Sequence, residues 1–237
     1  MARKPAPKSS PKSSARAAAS SDKPERERII DAFISLLAEK PIEQIGFAEI
    51  ANQAGVSLSE LRGHFGTTLA ILAAQMKEID RQVLAGIDAD MAEEPPRERL
   101  FDVLMRRLEI LEPHKAAVRS LARSAARNPG LAFALNGLAV RSQQWMLTAA
   151  DIGASGPRGM VRAQGLALLF ASVLRIWVRD DDPGHARTMA ALDRALARGQ
   201  RWSGFLDDLC RIPQCVGRVR ARRRRGADDA GKETIAA

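Results

Sequence analysis

The stretch GFAEIANQAGVSLSELRGHF, residues 46–65, decides how this chain folds. Its apolar residues recur every three or four positions on both sides of Gly55, which predicts two short helices joined by a tight turn. Gly46 is a suitable N-cap for the first helix, and Ser57 and Glu60 have the spacing of a capping box that starts the second. Two short helices joined by a glycine-containing turn form a helix-turn-helix.

Helical patterns continue on both sides of this motif. Asp22 and Glu25 are spaced as a capping box for a helix that ends before Pro41, and Thr67 can cap a long fourth helix. The predicted buried face of that fourth helix holds Leu69, Leu72, Met76, Ile79, Val83 and Ile87. Later helical patterns, with prolines at their boundaries, cover 97–112, 114–127, 130–152, 158–179 and 184–210. No alternating strand pattern is found, so the predicted fold class is all-α.

The net charge of +9 lies at the two ends of the 237-residue chain. Residues 1–21 are rich in Lys, Arg, Ser, Pro and Ala, and they are predicted to form a disordered basic arm. Residues 213–237 are predicted to form a second, Arg-rich disordered tail. Between them we expect a helix-turn-helix domain over 22–67 and a second helical domain over 68–212.

The sequence does not indicate a disulfide-rich protein, a membrane protein, a calcium-binding protein or an enzyme. Cys210 and Cys215 are too few for a disulfide framework and have no zinc-ligand partners, which predicts free thiols in a reducing cytoplasm. The most apolar stretch, residues 165–174, is half of the roughly 20 residues that a membrane span needs. The aspartates at 180–182 lack the spacing of a calcium loop and are expected to cap a helix. Because no catalytic or metal-binding set is recognisable, no enzyme activity, metal or cofactor is predicted.

The helix-turn-helix resembles the first domain of the TetR family of bacterial regulators. The family's Ile-Ala pair, Ala-Gly-Val-Ser turn and recognition-helix ending appear as Ile50-Ala51, Ala54–Ser57 and Leu61–Phe65. The resemblance implies a TetR-like fold, in which an N-terminal three-helix DNA-binding domain precedes a helical domain for ligand binding and dimerisation. It also implies a cytoplasmic homodimer on a palindromic site in double-stranded DNA, by family default a repressor that a small effector releases.

In a helix-turn-helix, the second helix projects its N-terminal residues into the major groove. Arg62 is predicted to contact a guanine edge or a phosphate, and Leu58 a thymine methyl. Hydrogen bonds to phosphates are predicted for Ser57, Ser59, His64, Thr67 and Thr68. The alternative interpretation is structural: Ser57 and Thr67 only cap helices, and His64 packs at a helix end. Where the family commonly has Tyr and two Lys, this chain has Arg62, Leu58 and Thr68.

Charge argues against phosphate binding by the motif alone. Residues 24–65 contain four basic and seven acidic side chains. Nonspecific DNA affinity depends largely on counterions released by basic groups. We therefore expect the basic arm that precedes the first helix to contact the DNA backbone or minor groove.

The C-terminal domain contains a strongly apolar segment. Residues 160–178 are apolar on nearly all faces, which predicts a core helix, an interface or both. Met and aromatic residues at helical spacing could line a pocket for an apolar effector, although such residues more often belong to a plain core. The candidates are Met105, Phe133, Trp145, Met146, Phe170 and Trp177.

Two other functions remain open at this point. Trp177, Asp180–Asp182, Thr188 and Leu192-Asp193-Arg194 are similar to a stretch of the coenzyme Q biosynthesis accessory family, lipid-binding proteins with a TetR-like fold. This similarity makes a lipid-binding protein of isoprenoid quinone biosynthesis the main alternative. The third interpretation is a nonspecific nucleic-acid-binding protein that works through its basic ends and uses the fold as a dimerising scaffold.

Overall fold

The computed structural model of the chain describes residues 23–88, 91 and 93–199. Its helices are α1 (Glu25–Glu39), α2 (Phe47–Ala54), α3 (Leu58–His64), α4 (Thr68–Ala85), α5 (Pro96–Leu111), α6 (Lys115–Arg127), α7 (Pro129–Ala149) and α8 (Gly156–Trp177). A further helix, α9, covers 186–199, up to the last described residue. The described residues contain no strand, which confirms the all-α class. The predicted arm and tail, Cys210 and Cys215 lie outside the described residues.

A first apolar core holds the helix-turn-helix together. Helices α1 to α3 and the first half of α4 supply most of its buried side chains, including Phe33, Ile50, Leu61, Phe65 and Ile71. Ala117 of α6 belongs to the same core, and Leu121, Leu131 and Leu135 pack against it. The motif therefore rests on α6 and on the start of α7.

A second core forms the C-terminal half. The end of α4 packs there with α5, α7, α8 and α9, and the buried side chains include Val83, Leu104, Met146, Phe170 and Leu192. Because α4 contributes to both cores, it is the helix that connects the half containing the helix-turn-helix to the C-terminal half.

Two predicted helix boundaries differ from the structure. Pro24 is the N-cap of α1 and makes no side-chain cap hydrogen bond, and Asp22, predicted to form the box with Glu25, lies outside the described residues. Helix α4 ends at Ala85 because Gly86 turns the backbone away, so Ile87 is 39% exposed rather than buried.

Helix α6 is hydrogen-bonded on both sides. The Ser120 hydroxyl donates to the carbonyl of Lys40 at the end of α1 (3.0 Å), and the Ser124 hydroxyl donates to the Glu43 carboxylate (2.9 Å). From another face, Arg119 donates through Nε to the carbonyl of Val178 (3.0 Å), just beyond α8. A single helix thus connects the motif to the C-terminal end of α8.

Helix α8 has a buried and an exposed apolar face. Leu166, Phe170, Val173 and Trp177 lie in the C-terminal core, whereas Met160, Val161, Leu168 and Ile176 are exposed. Among the described residues, α8 is also the one helix whose length and composition would suffice to cross a membrane. Core helices of soluble proteins meet the same criterion, so this property does not show a membrane span.

Two of the three aspartates at 180–182, Asp180 and Asp182, cap α9 as predicted. Asp182 accepts a hydrogen bond from the backbone N–H of Ala186 (3.2 Å). The Asp180 carboxylate accepts from the N–H (3.0 Å) and the hydroxyl (2.6 Å) of Thr188. These hydrogen bonds, chiefly the one from the hydroxyl, hold the pKa of Asp180 below its usual value.

Candidate nucleic-acid interface

The turn between α2 and α3 has the geometry that its sequence predicts. Gly55 has φ 65° and ψ 40°, a left-handed conformation that glycine adopts without steric cost. The N–H of Val56 donates to the carbonyl of Ala51 (3.0 Å), which closes the end of α2. These contacts set the direction in which α3 leaves the turn.

Arg28 of α1 holds the same turn from outside. Its guanidinium donates to the carbonyls of Ala54 (3.2 Å) and Gly55 (3.3 Å). A cation at these carbonyls satisfies acceptors that the end of α2 leaves free and interacts favourably with its helix dipole. Sequence reasoning missed this role, because nothing in the local pattern connects an arginine of α1 to a turn 26 residues later.

Helix α3 begins with the predicted capping box. The N–H of Glu60 donates to the Ser57 hydroxyl (3.1 Å), and the N–H of Ser57 donates to the Glu60 carboxylate (2.7 Å). Hydrogen bonding from the Ser57 backbone, and then from its hydroxyl, holds the pKa of Glu60 below its usual value. The recognition helix therefore carries a fixed negative charge in its first turn.

The residues predicted to contact DNA are exposed, except Thr68, which is half-buried. Leu61 and Phe65 face the core, which leaves Leu58 (55% exposed), Ser59, Arg62 and His64 on the outer side of α3. A Cβ placed on Gly66 would lie 2.9 Å from Nη1 of Arg62, so the guanidinium lies close against this glycine. Beside it, α4 starts at Thr68, and the Thr67 hydroxyl accepts from the N–H of Ala70 (3.0 Å).

The structural alternatives hold in part for three of these residues. Ser57 and Thr67 do cap α3 and α4. Nε2 of His64 lies 3.3 Å from the Glu25 carboxylate, which joins the end of α3 to the first turn of α1. That these three side chains also contact DNA phosphates remains a prediction.

Few of the basic groups in this half are free to face DNA. Lys40 pairs with Glu49, Arg28 holds the turn, and the Arg26 guanidinium lies 5.5 Å from the centre of the Phe65 ring. Arg62 is the one base on α3 itself. The surface thus has hydrogen-bonding groups and an exposed leucine but little positive charge.

The predicted effector residues do not all face one space. Met146 and Trp177 are fully buried and Phe170 is 4% exposed, with Met105 packed against the same core. Phe133 and Trp145 are 82% and 59% exposed, so they do not lie in the core with the other four. The reason is orientation: the inward face of α7 is occupied by Val140, Gln143, Met146 and Leu147.

The described residues contain a groove elsewhere. It has a volume of about 610 Å³ and lies between α8 and α9, where Ser172, Val173 and Ile176 face Ala191, Arg194 and Arg198. None of the six predicted effector residues lines it. No group of three or more metal-ligating side chains occurs within the described part of the chain.

Comparison with known proteins identifies the fold. No family model and no curated protein matches the chain. Solved structures do match, among them a TetR transcriptional regulator from Nitrosomonas europaea (TM-score 0.59, 22% identity, 75% of this chain and 99% of that one). A TetR regulator from Rhodococcus sp. RHA1 gives a TM-score of 0.54 at 23% identity, over 74% of this chain and 95% of that one.

A putative TetR-family regulator from Syntrophomonas wolfei gives the same TM-score, 0.54, at 13% identity, over 76% of this chain and 94% of that one. These similarities show that the chain has the TetR-like fold, as its sequence predicts. The second resemblance, to the coenzyme Q biosynthesis family, receives no support from these comparisons.

Proposed function

We propose that this protein is a DNA-binding transcriptional regulator. The observation that carries the proposal is the complete helix-turn-helix: a left-handed Gly55 turn, a capping box at α3, and an outward face of α3 that no other described helix covers. This arrangement presents a short helix to the major groove of double-stranded DNA.

We assign the recognition of DNA bases to two side chains of α3. Leu58 lies at the first position of α3 and is 55% exposed, so its apolar end can contact the C5-methyl group of thymine. Arg62 lies one turn later on the same face and can donate two hydrogen bonds to a guanine. Ser57, Ser59, His64, Thr67 and Thr68 surround them as donors to phosphate oxygens.

Phosphate affinity is assigned to the basic arm. The arm, residues 1–21, contains five basic residues and no acidic one. Glu25 contacts His64, so the arm joins α1 beside the end of the recognition helix. Counterion release by the arm would compensate for the acidic character of residues 24–65.

We also propose a cytoplasmic homodimer, with α8 in its interface, on a palindromic operator. Leu168 is 61% exposed on the outer face of α8, and Val161 and Ile176 are exposed beside it.

Leu168→Asp should convert the dimer to a monomer in sedimentation velocity, because a carboxylate would be buried without a partner. Ile87→Asp, which also changes an exposed apolar residue but lies outside α8, is the control. If Leu168→Asp remains a dimer, this interface is wrong.

By the family default, the regulator acts as a repressor that a small apolar effector releases from DNA. The buried residues Met146, Phe170 and Trp177, with Met105 beside them, are the proposed effector-binding residues in the protomer. Phe133 and Trp145 are exposed on α7 and are not assigned to this site.

Selection of bound fragments from the source genome tests the function. The full chain is incubated with genomic fragments at about 150 mM salt, where nonspecific contacts are weak. A shared palindromic site supports the proposal, and Arg62→Ala should then relax the preference at one guanine, whereas Arg123→Ala on α6 should not. Enrichment without a common site would indicate the nonspecific nucleic-acid protein instead.

A further inference from the structure

A buried ion pair lies where four helices of the C-terminal half meet. Nη1 of Arg107 on α5 donates to the Asp80 carboxylate on α4 (2.5 Å), and the Ser142 hydroxyl on α7 donates to the same oxygen (2.7 Å). The guanidinium carbon lies 5.6 Å from the centre of the Phe170 ring on α8. Arg107 is 4% exposed and Asp80 is 8% exposed. A charge this deep is stable only with partners on most of its donors.

The partners of Arg107 are incomplete. Nε of Arg107 is buried and has no hydrogen-bond acceptor among the described residues. Oε1 of Gln143, a 2% exposed residue next to Ser142, likewise has no donor. An unsatisfied buried donor on a charged group is costly, and such groups in native structures call for an explanation.

The unpartnered Nε of Arg107 can donate a hydrogen bond to a second carboxylate. Arginine binds carboxylates through two parallel N–H···O bonds, one of which can come from Nε. Asp80 uses Nη1 alone. A second carboxylate can therefore bind at Nε without first displacing Asp80.

The charge of the surrounding helices favours an anion. Helices α7 and α8, which contribute Ser142 and Phe170 beside Arg107, contain four arginines and no acidic residue. A surplus of this size raises the local concentration of anions and their rate of arrival. DNA binding by the motif does not explain it, because the motif is acidic and lies in the other half of the chain.

From these observations we infer that the effector is an apolar molecule with one carboxylate, and that the carboxylate binds the Nε side of Arg107. The inference rests on the proposed function and names the ligand class of its effector site. The apolar part of the ligand would pack against Phe170, Met146 and Met105, which belong to or pack against the same core.

The same site explains how binding reaches the DNA-binding half. A ligand carboxylate beside Asp80 places two negative charges on one guanidinium, and like charges so close repel each other. Asp80 belongs to α4, the helix that also carries Ile71 and Leu72 of the first core. A weakened Arg107–Asp80 pair frees α4 to move, and the ligand shifts the population away from the DNA-binding arrangement.

The experiment uses the full chain and four carboxylates, octanoate, dodecanoate, benzoate and phenylacetate, each with its primary alcohol as the neutral control. Calorimetric titration of DNA-free protein should detect binding of at least one carboxylate and not of its alcohol. Fluorescence anisotropy with the selected DNA site should then show about tenfold weaker DNA binding when that carboxylate is present, a usual size for allosteric coupling.

Two variants test the role of Arg107. Arg107→Lys keeps a cation opposite Asp80 but lacks the two parallel N–H donors of a guanidinium. The double variant Asp80→Asn/Arg107→Met removes both charges, so neither is left buried without a partner. Both should lose carboxylate binding while still showing a cooperative thermal transition. Arg141→Lys, an exposed arginine of α7, is the matched control and should bind the carboxylate as the unmodified chain does.

The inference is overturned if no carboxylate of the panel binds, if the alcohols bind equally well, or if either Arg107 variant binds as tightly as the unmodified chain. Carboxylate binding at Arg107 without any selected DNA site would refute the proposed function alone. A selected DNA site without carboxylate binding would refute this inference alone.

Discussion

Gly55 shows how much one residue decides in this protein. Its left-handed backbone ends α2 and aims α3, and the carbonyls on either side of the turn are held by Arg28. The conformation is open to glycine because it has no Cβ, whereas an L-residue there brings its Cβ close to the following carbonyl.

Gly55→Ala should therefore destabilise the chain by about 1–2 kcal/mol through backbone strain alone. An added Cβ would approach Nη1 of Arg28 to 3.6 Å, an ordinary contact, so crowding contributes little. Gly63→Ala is the matched control, because Gly63 is helical and nothing lies within 4 Å of an added Cβ. It should stabilise α3 by about 0.5–1 kcal/mol. Chemical denaturation of both variants measures the two changes in the free energy of unfolding. If both substitutions change it in the same direction, the explanation is wrong.

At the scale of elements, α6 connects the two halves of the described chain. Ser120 and Ser124 bind the end of α1 and the turn after it, and Arg119 binds the carbonyl beyond the end of α8. A guanidinium at the end of a helix also interacts favourably with the helix dipole.

Arg119→Met should lower the free energy of unfolding by about 1 kcal/mol, because the carbonyl of Val178 loses a charged donor. Arg123→Met, one turn further along α6, removes an exposed charge without a described partner and should change stability by less than about 0.5 kcal/mol. Urea denaturation at neutral pH compares them. Similar losses in both variants would mean that net charge, and not this contact, is responsible.

The start of α9 should make stability depend on pH in the acid range. The hydroxyl of Thr188 lowers the pKa of Asp180 below its ordinary value of 3.8. A lowered pKa means that the contribution is complete above pH 3.8 and is lost as the pH falls below it. Thr188→Val should thus reduce the melting temperature most at neutral pH and progressively less in acid. Thr148→Val removes a hydroxyl that bonds within α7, so the change in its melting temperature should not vary with pH.

Local signals explain which elements could be predicted from the sequence. Helices α2 and α3 were predicted with the correct caps, because Gly46, Gly55, Ser57 and Glu60 act within a few residues of one another. The contacts of Arg28 and of the Asp80–Arg107 pair could not be predicted, since they join residues 26 and 27 positions apart. The exposure of Phe133 and Trp145 could not be predicted either, because helical spacing alone does not say which face of a helix turns inward.

For the whole molecule, the distribution of charge matters more than its sum. Residues 24–65 are acidic, residues 115–178 are strongly basic, and the residues before α1 are basic again. Under the proposed function, sequence preference and electrostatic affinity for DNA come from different parts of the chain.

Deletion of residues 2–16, which removes five basic residues from each protomer, should reduce the salt dependence of DNA binding by up to about four units per protomer in the slope of log K against log salt. The selected site should keep its sequence, because the arm contacts the backbone or the minor groove. Deletion of residues 226–237, a similar length of mixed charge, is the control and should leave the slope unchanged. An unchanged slope after the first deletion would show that the arm does not contact DNA.

The acidic surface of the motif also has a consequence for kinetics. Sliding along unrelated DNA depends on the same phosphate contacts that supply nonspecific affinity. If the protein works as proposed, its acidic motif leaves unrelated DNA quickly, and the basic arm determines how long each visit lasts. Its search of a genome would proceed by many short landings rather than by long one-dimensional scans, so shortening the arm would change how fast the operator is found more than which operator is chosen.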